Sequence, residues 1–151
     1  MKIRFKKLHE AAVIPKQAHE GDVGLDVSTI ETKWILPFQR KLFKTGLAAQ
    51  PEAGHEIQLR PRSGNALKFG LTVLNSPATI EPTYRGDIGV ILYNTSLLPR
   101  KIKSGDRIAQ MVVKPYIEKV DVSIVEELDE SVRGENGFGS SGTKALNGGE
   151  K

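Results

Sequence analysis

Short runs of alternating apolar and polar residues recur about every ten residues along the chain, as in proteins built from many short strands. Residues 1–8 alternate Ile3 and Phe5 with basic residues, which predicts a strand with one wet face. Residues 34–48 predict two more short strands, and residues 57–60 predict another. A helical period is nowhere sustained over about ten residues. The pattern therefore predicts an all-β protein, a distorted barrel or jelly roll with one short helix.

A further alternation near the N-terminus brings in acidic residues. Val23, Leu25 and Val27 are predicted to point to one face of a strand. Asp22 and Asp26 then share the opposite face. A solvated strand face has the same pattern, so the spacing alone assigns no function to these carboxylates.

The segment 61–70, PRSGNALKFG, interrupts the strand pattern with good helix formers and predicts one or two helical turns. A helix that begins around Arg62, Ser63 and Gly64 would present free backbone N–H groups, a hydroxyl and a guanidinium together. This arrangement binds phosphate. An ordinary capped surface turn would show the same residues.

The stretch 75–94, NSPATIEPTYRGDIGVILYN, predicts a tight hairpin followed by a strand. Glu81 can take a proton from water, and the ring of Tyr84 can pack against a sugar. Arg85 can hold an anion or an acidic neighbour, and Asp87 is expected to orient it. An ordinary surface hairpin is the alternative for this stretch.

A Ser-Gly-Asp turn at 104–106 predicts a connection between two strand-like runs. Arg107 and Gln110 are the polar members of the second run. Alternating apolar residues at 120–124 predict a last strand. The prediction is thus one β-domain over residues 1–132.

Residues 133–151 are rich in Gly, Ser and Asn and predict a flexible C-terminal tail. Arg133 and Phe138 are the residues in it that suggest a ligand. Residues 137–142 spell G-x-G-x-x-G, but neither a preceding strand nor a following crossover helix is predicted there. A dinucleotide-binding fold is therefore not expected.

Composition narrows the function classes. A chain of 151 residues fits one domain, and it holds no cysteine, which excludes disulfides and thiolate chemistry. No apolar run approaches the roughly 20 residues of a membrane helix, and no signal peptide is evident, so an intracellular location is expected. The net charge of +4 suits an anionic ligand.

Taken together, these segments resemble the trimeric dUTP pyrophosphatases (dUTPases), whose five motifs occur here in the right order over most of the chain. The matching segments are GLDV at 24–27, PRSGNALKFG at 61–70, NSPATIEPTYRGDIGVILYN at 75–94, GDRIAQMVV at 105–113 and RGENGFGSSGT at 133–143. The resemblance implies a jelly-roll subunit in a homotrimer with sites shared between subunits. It also implies hydrolysis of dUTP to dUMP and pyrophosphate with Mg²⁺, which keeps uracil out of DNA and supplies dUMP. The cytoplasm, or a host-cell interior for a viral protein, is the implied location, and neither direct nucleic-acid binding nor membrane binding is expected.

The same resemblance implies a role for each matching residue. Glu81 would activate the attacking water, and Asp26 would orient the water shell of Mg²⁺, which the triphosphate mainly holds. The implied substrate-binding residues fall into three groups: Arg62, Ser63, Gly64 and Gln110 for phosphate, Asn75, Ile80 and Tyr84 for uracil and deoxyribose, and Arg133, Phe138, Gly139, Ser140 and Ser141 for closure of the tail over uracil and the γ phosphate.

Two positions depart from the family pattern, which usually has glycine and aspartate where this chain has Ala78 and Glu81. The longer Glu81 keeps the chemistry of a carboxylate but changes its reach, and a methyl group at position 78 is expected to crowd the pyrimidine. Two other readings therefore stay open. One is a nucleotide-sensing or protein-binding module with reduced turnover, and the less favoured one is a dCTP deaminase, which shares the barrel and an Arg-Ser phosphate loop.

Overall fold

The computed structural model describes residues 1–137, and nearly all of their regular structure is β-strand. The strands are β1 (Ile3–Lys7), β2 (Leu25–Ser28), β3 (Lys33–Ile35), β4 (Arg40–Lys44), β5 (Leu47–Pro51), β6 (His55–Arg60), β7 (Leu71–Val73), β8 (Ala78–Ile80), β9 (Gly89–Asn94), β10 (Arg100–Ile102) and β11 (Arg107–Pro115). Within the described residues the one α-helix is α1 (Ser63–Phe69). The prediction of an all-β protein with one short helix is confirmed.

The strands form four antiparallel sheets. Their orders are β1-β5, β10-β3, β2-β11-β6-β8 and β4-β9-β7. Strand β11 is central to the largest sheet, because it pairs with β2 on one side and with β6 on the other. This strand brings distant parts of the chain side by side.

The core lies among these sheets and is made mostly of aliphatic side chains with Met111, and within residues 1–137 its one buried aromatic ring is Phe43. Ile57 and Leu59 of β6, Val90 and Leu92 of β9, and other alternating strand positions supply it, as the period of two requires. Ala78 is 7% exposed and packs in this core, so its methyl group is accommodated by the fold.

The predicted hairpin in the stretch 75–94 is wrong. Strand β8 pairs with β6, while β9 pairs with β4 and β7, so the connection between β8 and β9 crosses from one sheet to another. Local turn residues look alike in hairpins and in such crossings, and only the long-range pairing distinguishes them. The consequence is functional, because the loop between β8 and β9 opens beside a cavity instead of closing tightly.

Three other strand predictions need correction. Strand β2 begins at Leu25, so Asp22 lies in a turn, where its carboxylate accepts from the His19 N–H at 2.9 Å, and it does not share a strand face with Asp26. The region 34–48 contributes to three strands instead of two. Residues 120–124 form no strand, and their apolar side chains are exposed, since alternation alone supplies no pairing partner.

Residues Met1–Glu118 make one compact unit, and the remaining described residues, 119–137, belong to a second one. No helix among the described residues has the length and apolar character needed to cross a membrane.

Candidate functional site

The centre of the first group of polar residues is Asp26, on β2. Its Oδ1 accepts from Arg62 Nε at 2.8 Å, and its Oδ2 accepts from Arg107 Nη1 at 2.7 Å. The Asp26 side chain is only 12% exposed, so the two guanidinium groups compensate a largely buried charge. Three segments far apart in sequence are thereby tied together at one carboxylate.

A bulge in β11 explains how Arg107 reaches this position. The register of β11 against β2 shifts between Arg107 and Ala109, which frees the Arg107 carbonyl from the ladder. That carbonyl accepts from Asn65 Nδ2 at 3.1 Å and from Arg62 Nη1 at 3.3 Å. The first turn of α1 is therefore fastened to β11.

Helix α1 begins where the sequence predicts a phosphate-binding turn. Arg62 is the N-cap residue, with extended backbone and no side-chain capping bond, and the first helical bond runs from Ala66 N to Arg62 O at 3.0 Å. The backbone N–H groups of Ser63 and Gly64 precede that bond and are unused in the helix. Both residues are exposed, and a Cβ on Gly64 would meet no atom within 4 Å, so there is room for a ligand.

Gln110 lies in the same region, because it is the cross-strand partner of Asp26 on β11. A Cβ on Gly24 would come within 3.3 Å of the Gln110 side chain, which explains the small residue at the start of the GLDV segment. The structure thus places five of the proposed site residues, Asp26, Arg62, Ser63, Gly64 and Gln110, beside Arg107 and Asn65, and we call these seven residues the phosphate cluster.

A second group surrounds a cavity of about 360 Å³, which we call the β8–β9 cavity. It is lined by Leu42, Asn75, Ala78, Thr79, Ile80, Glu81, Tyr84, Asp87, Gly89 and Ile91. The volume is within the range of small-ligand sites. The predicted residues Asn75, Ile80, Glu81 and Tyr84 are therefore brought to one place.

Tyr84 is held across the loop after β8. Its hydroxyl donates to the Asp87 carbonyl at 3.1 Å, and its backbone N–H donates to the Glu81 carbonyl at 2.9 Å. A Cβ on Gly86 would lie 2.3 Å from the Tyr84 hydroxyl oxygen, so the ring position requires glycine there. Tyr84 remains 44% exposed, so part of its side chain is accessible from the β8–β9 cavity that it lines.

The expectation that Asp87 orients Arg85 is wrong. Asp87 Oδ1 accepts from the Gly46 N–H at 2.9 Å and lies 3.4 Å from the Thr45 hydroxyl, so this carboxylate fixes the β4–β5 turn. Arg85 donates instead to the carbonyls of Pro82 and Tyr84, at 2.6 and 2.8 Å. Opposite charges two positions apart in a loop suggest a pair, but carbonyls of its own loop bind Arg85, and the distant Gly46 N–H binds Asp87.

Glu81 differs from the other acids of these two groups. Its side chain is exposed and makes no hydrogen bond or ion pair with any residue of 1–137. Both of its oxygens are therefore free to accept from a water molecule.

The two groups are separate within one chain. The lining of the β8–β9 cavity includes no member of the phosphate cluster. Arg133, in the second unit, donates from Nε to the Asn136 carbonyl at 2.8 Å. The other predicted tail residues, Phe138, Gly139, Ser140 and Ser141, lie outside the described residues.

The sequence does not assign a function to two residues of the phosphate cluster. It identifies Arg107 only as a polar residue on a strand, and Asn65 only as part of the start of the helix. No local signal distinguishes Arg107 from an ordinary solvated strand residue, because its side chain is half exposed and its partner Asp26 is distant in sequence. Nothing in the sequence indicates that Asn65 supports the neighbouring strand.

The positions of the acidic residues indicate whether the protein itself could hold a metal ion. In the described part of the chain, no group of three or more His, Asp or Glu residues is arranged to hold a metal ion. Asp26 is committed to two arginines, yet each of its oxygens retains a further lone pair. Such a carboxylate suits the hydrogens of a metal-bound water better than the metal itself.

Comparison with known proteins gives the same family by sequence model and by individual relatives. A family model described as dUTPase matches residues 10–142. The deoxyuridine 5'-triphosphate nucleotidohydrolase of Picosynechococcus sp. is 52% identical over 143 residues, which are 95% of this chain and 100% of that relative. The enzyme of the same name from Clostridium novyi is 51% identical over 142 residues, or 94% and 99% of the two chains.

Solved structures agree with these sequence relatives. The dUTPase of Staphylococcus bacteriophage 80alpha with dUPNHPP has a TM-score of 0.86 and 29% identity, and the match covers 94% of this chain and 99% of that one. The fold of this chain is therefore the one found in these dUTPases, and the predicted jelly roll is confirmed.

Proposed function

The chain belongs to the dUTPase family, and we propose that it hydrolyses dUTP to dUMP and pyrophosphate with Glu81 as the general base. The observation that carries the proposal is the β8–β9 cavity, which combines a free carboxylate, an aromatic ring and an amide in a nucleotide-sized space. The runner-up function, binding of nucleotide without turnover, uses the same cavity but needs no free carboxylate.

In this mechanism Glu81 takes a proton from a water molecule placed in line with the α phosphorus. The water oxygen forms a bond to the α phosphorus as the bond to the oxygen bridging the α and β phosphorus atoms breaks, and pyrophosphate leaves with that electron pair. The reaction depends mostly on positioning and on stabilisation of charge. A carboxylate without a protein partner, such as that of Glu81, can accept a hydrogen bond from the water with either oxygen and then take its proton.

The phosphate cluster supplies the charge stabilisation. Ser63 and Gly64 would donate backbone N–H groups to the α and β phosphates, and Gln110 would donate its amide. Arg62 would act partly through Asp26 and the Arg107 carbonyl, because its guanidinium bonds to both. The bonds of Asn65 and Arg62 to β11 hold the helix start in place for these contacts.

The Mg²⁺ expected for this reaction fits the residues present if the triphosphate holds it. Asp26 would accept a hydrogen bond from one of its waters, consistent with a carboxylate whose charge two arginines already compensate. When bound, the ion neutralises phosphate charge and orients the triphosphate chain.

Selection of the substrate would occur in the β8–β9 cavity. The Tyr84 ring would pack on the deoxyribose and leave no space for a 2′-hydroxyl. Asn75 and the backbone near Ile80 would pair with the uracil edge, so that cytosine would leave buried polar groups unpaired. The tail, with Arg133, Phe138, Gly139, Ser140 and Ser141, would close over uracil and the γ phosphate and exclude water.

A homotrimer with shared sites would unite the two groups of residues. The separation of the β8–β9 cavity from the phosphate cluster within one chain supports this arrangement, because both are needed for one substrate. The cavity of one subunit would then face the phosphate cluster of a second, with the tail of a third above them.

We also place the activity inside the cell, in the cytoplasm, because deoxynucleoside triphosphates are made and used there. Hydrolysis of dUTP would keep uracil out of DNA and provide dUMP.

Release of pyrophosphate from purified protein tests this function. With dUTP and Mg²⁺ the protein should release pyrophosphate and form dUMP, while dCTP should yield neither pyrophosphate nor dUTP. Conversion of dCTP to dUTP would indicate a deaminase. Saturable binding of dUTP without product would indicate a nucleotide-sensing module.

A further inference from the structure

A larger cavity, of about 620 Å³, is lined by residues of β3, β10, α1 and the start of β11, and we call it the Trp34 cavity. Two aromatic rings line it, Trp34 and Phe69, and they are 52% and 42% exposed. Large exposed rings that face one cavity are typical of a binding site.

Each of the two aromatic rings makes a cation–π contact with a basic side chain. Lys101 is the direct cross-strand partner of Trp34, and its Nζ lies 5.8 Å from the centre of the ring. The guanidinium carbon of Arg100 lies 5.3 Å from the centre of the Phe69 ring. These contacts fix the cations beside the aromatic surfaces.

The two cations have no acidic partner within residues 1–137, and Arg100 Nε is buried without any hydrogen-bond acceptor there. Asp106 is the one acid in the lining, and its carboxylate accepts a hydrogen bond from the neutral Lys103 N–H at 2.8 Å, so its single negative charge faces four cationic side chains of the same lining. The Trp34 cavity therefore has uncompensated positive charge next to apolar ring faces.

From this juxtaposition we propose that the Trp34 cavity is a second nucleotide site, which takes a nucleoside monophosphate with its base against an aromatic ring and its phosphate on Lys101 and Arg100. A planar base and a phosphate are the two chemical groups that this set of residues recognises. The volume suffices for one nucleotide. Two unpaired cations match one phosphate group, whereas a nucleic-acid strand would require a longer basic track.

The site is distinct from the one proposed for dUTP. None of the residues of the β8–β9 cavity lines the Trp34 cavity. Arg62, Asn65 and Arg107 lie at both the Trp34 cavity and the phosphate cluster, but the two arginines are ion-paired with Asp26, and Asn65 carries no charge. Residues Trp34, Arg100 and Lys101 are not used by the dUTP mechanism.

Tryptophan fluorescence tests the proposal directly, because Trp34 is the single tryptophan of the chain. The full-length protein is titrated with dAMP, a purine nucleotide whose base does not match the uracil contacts. We expect saturable quenching of Trp34 emission. Lys101→Glu should weaken dAMP binding about fivefold or more, since it replaces attraction to the phosphate with repulsion.

The matched control is Lys103→Glu, which makes the same charge change at an exposed lysine outside the lining of the cavity. It should leave dAMP affinity within about twofold of the parent. Both variants should hydrolyse dUTP at the parental rate, so a failure of this proposal is separable from a failure of the proposed enzyme activity.

Quenching that stays linear with dAMP concentration would overturn the proposal, as would equal effects of the two lysine variants. A short oligothymidylate that binds more than about a hundredfold tighter than dAMP would also overturn it, in favour of a single-strand site.

Discussion

Asp26 and Arg62 lie 36 positions apart in the sequence, yet Arg62 Nε donates to Asp26 Oδ1 at 2.8 Å. This bond joins the first strand of the largest sheet to the N-cap of the only helix in the described part of the chain. It therefore fixes the backbone N–H groups of α1 relative to β11 and its Gln110.

Replacing Asp26 tests the importance of that geometry. Asp26→Asn keeps the shape of the side chain but removes its charge, which leaves two guanidinium groups without an ionic partner. We expect kcat/KM for dUTP to fall about 10- to 100-fold, because charge-assisted bonds are strong and small misplacements are costly. Steady-state kinetics with Asp22→Asn as the matched control checks this, and a parental kcat/KM for Asp26→Asn would contradict it.

Gly86 provides a test of sugar selection that leaves Tyr84 in the sequence. A Cβ at position 86 would lie 2.3 Å from the Tyr84 hydroxyl oxygen, so Gly86→Ala must displace the ring. We expect the preference for dUTP over UTP to drop at least about tenfold. Tyr84→Phe, which keeps the ring, should retain most of the preference, and full discrimination by Gly86→Ala would remove Tyr84 from this role.

The sequence predicts the catalytic groups better than it predicts the path of the chain between them. Glu81 and Tyr84 could be assigned from local motifs, because residue type and spacing determine their chemistry. The crossing from β8 to β9 could not, since it depends on the pairing of β8 with β6 and of β9 with β4, between residues 19 to 53 positions apart in the sequence.

Side-chain partners were the other part that the sequence did not determine. Asp87 bonds to the turn at Gly46, and Asn65 supports Arg107, both through contacts between distant segments. Closeness in sequence suggests Arg85 as the partner of Asp87, but the carbonyl groups of Pro82 and Tyr84 accept hydrogen bonds from the Arg85 guanidinium instead. Long-range contacts of this kind are set by tertiary packing and not by local propensity.

The tail should be needed for turnover but not for folding. Truncation after Val132 removes Arg133 and Phe138, and we expect a folded protein with little dUTP hydrolysis, because a lid contributes to the closed reactive state. Circular dichroism and pyrophosphate release measure the two properties. Truncation after Thr143 retains the fifth motif and should stay active; equal activity of both truncated forms would refute a role for the tail.

If each active site is built from several subunits, two variants that are inactive on their own should restore activity when they form mixed trimers. When Glu81→Gln is refolded together with the chain truncated after Val132, about a quarter of the sites should combine an intact Glu81 with an intact tail. Activity should then exceed the sum of the separate preparations. Absence of recovery, in samples that sedimentation shows to contain mixed trimers, would mean that each site takes Glu81 and the tail from the same chain.

The role of Glu81 as general base is the central claim, and turnover of dUTP by Glu81→Gln tests it most directly. The amide cannot take a proton, so we expect kcat to fall about 10²- to 10⁴-fold. Affinity for dUTP should persist, because the phosphate and uracil contacts lie elsewhere. Glu81→Asp keeps a carboxylate and should turn over dUTP at least as fast as the parent. A Glu81→Gln protein that hydrolyses dUTP at the parental rate would contradict the mechanism.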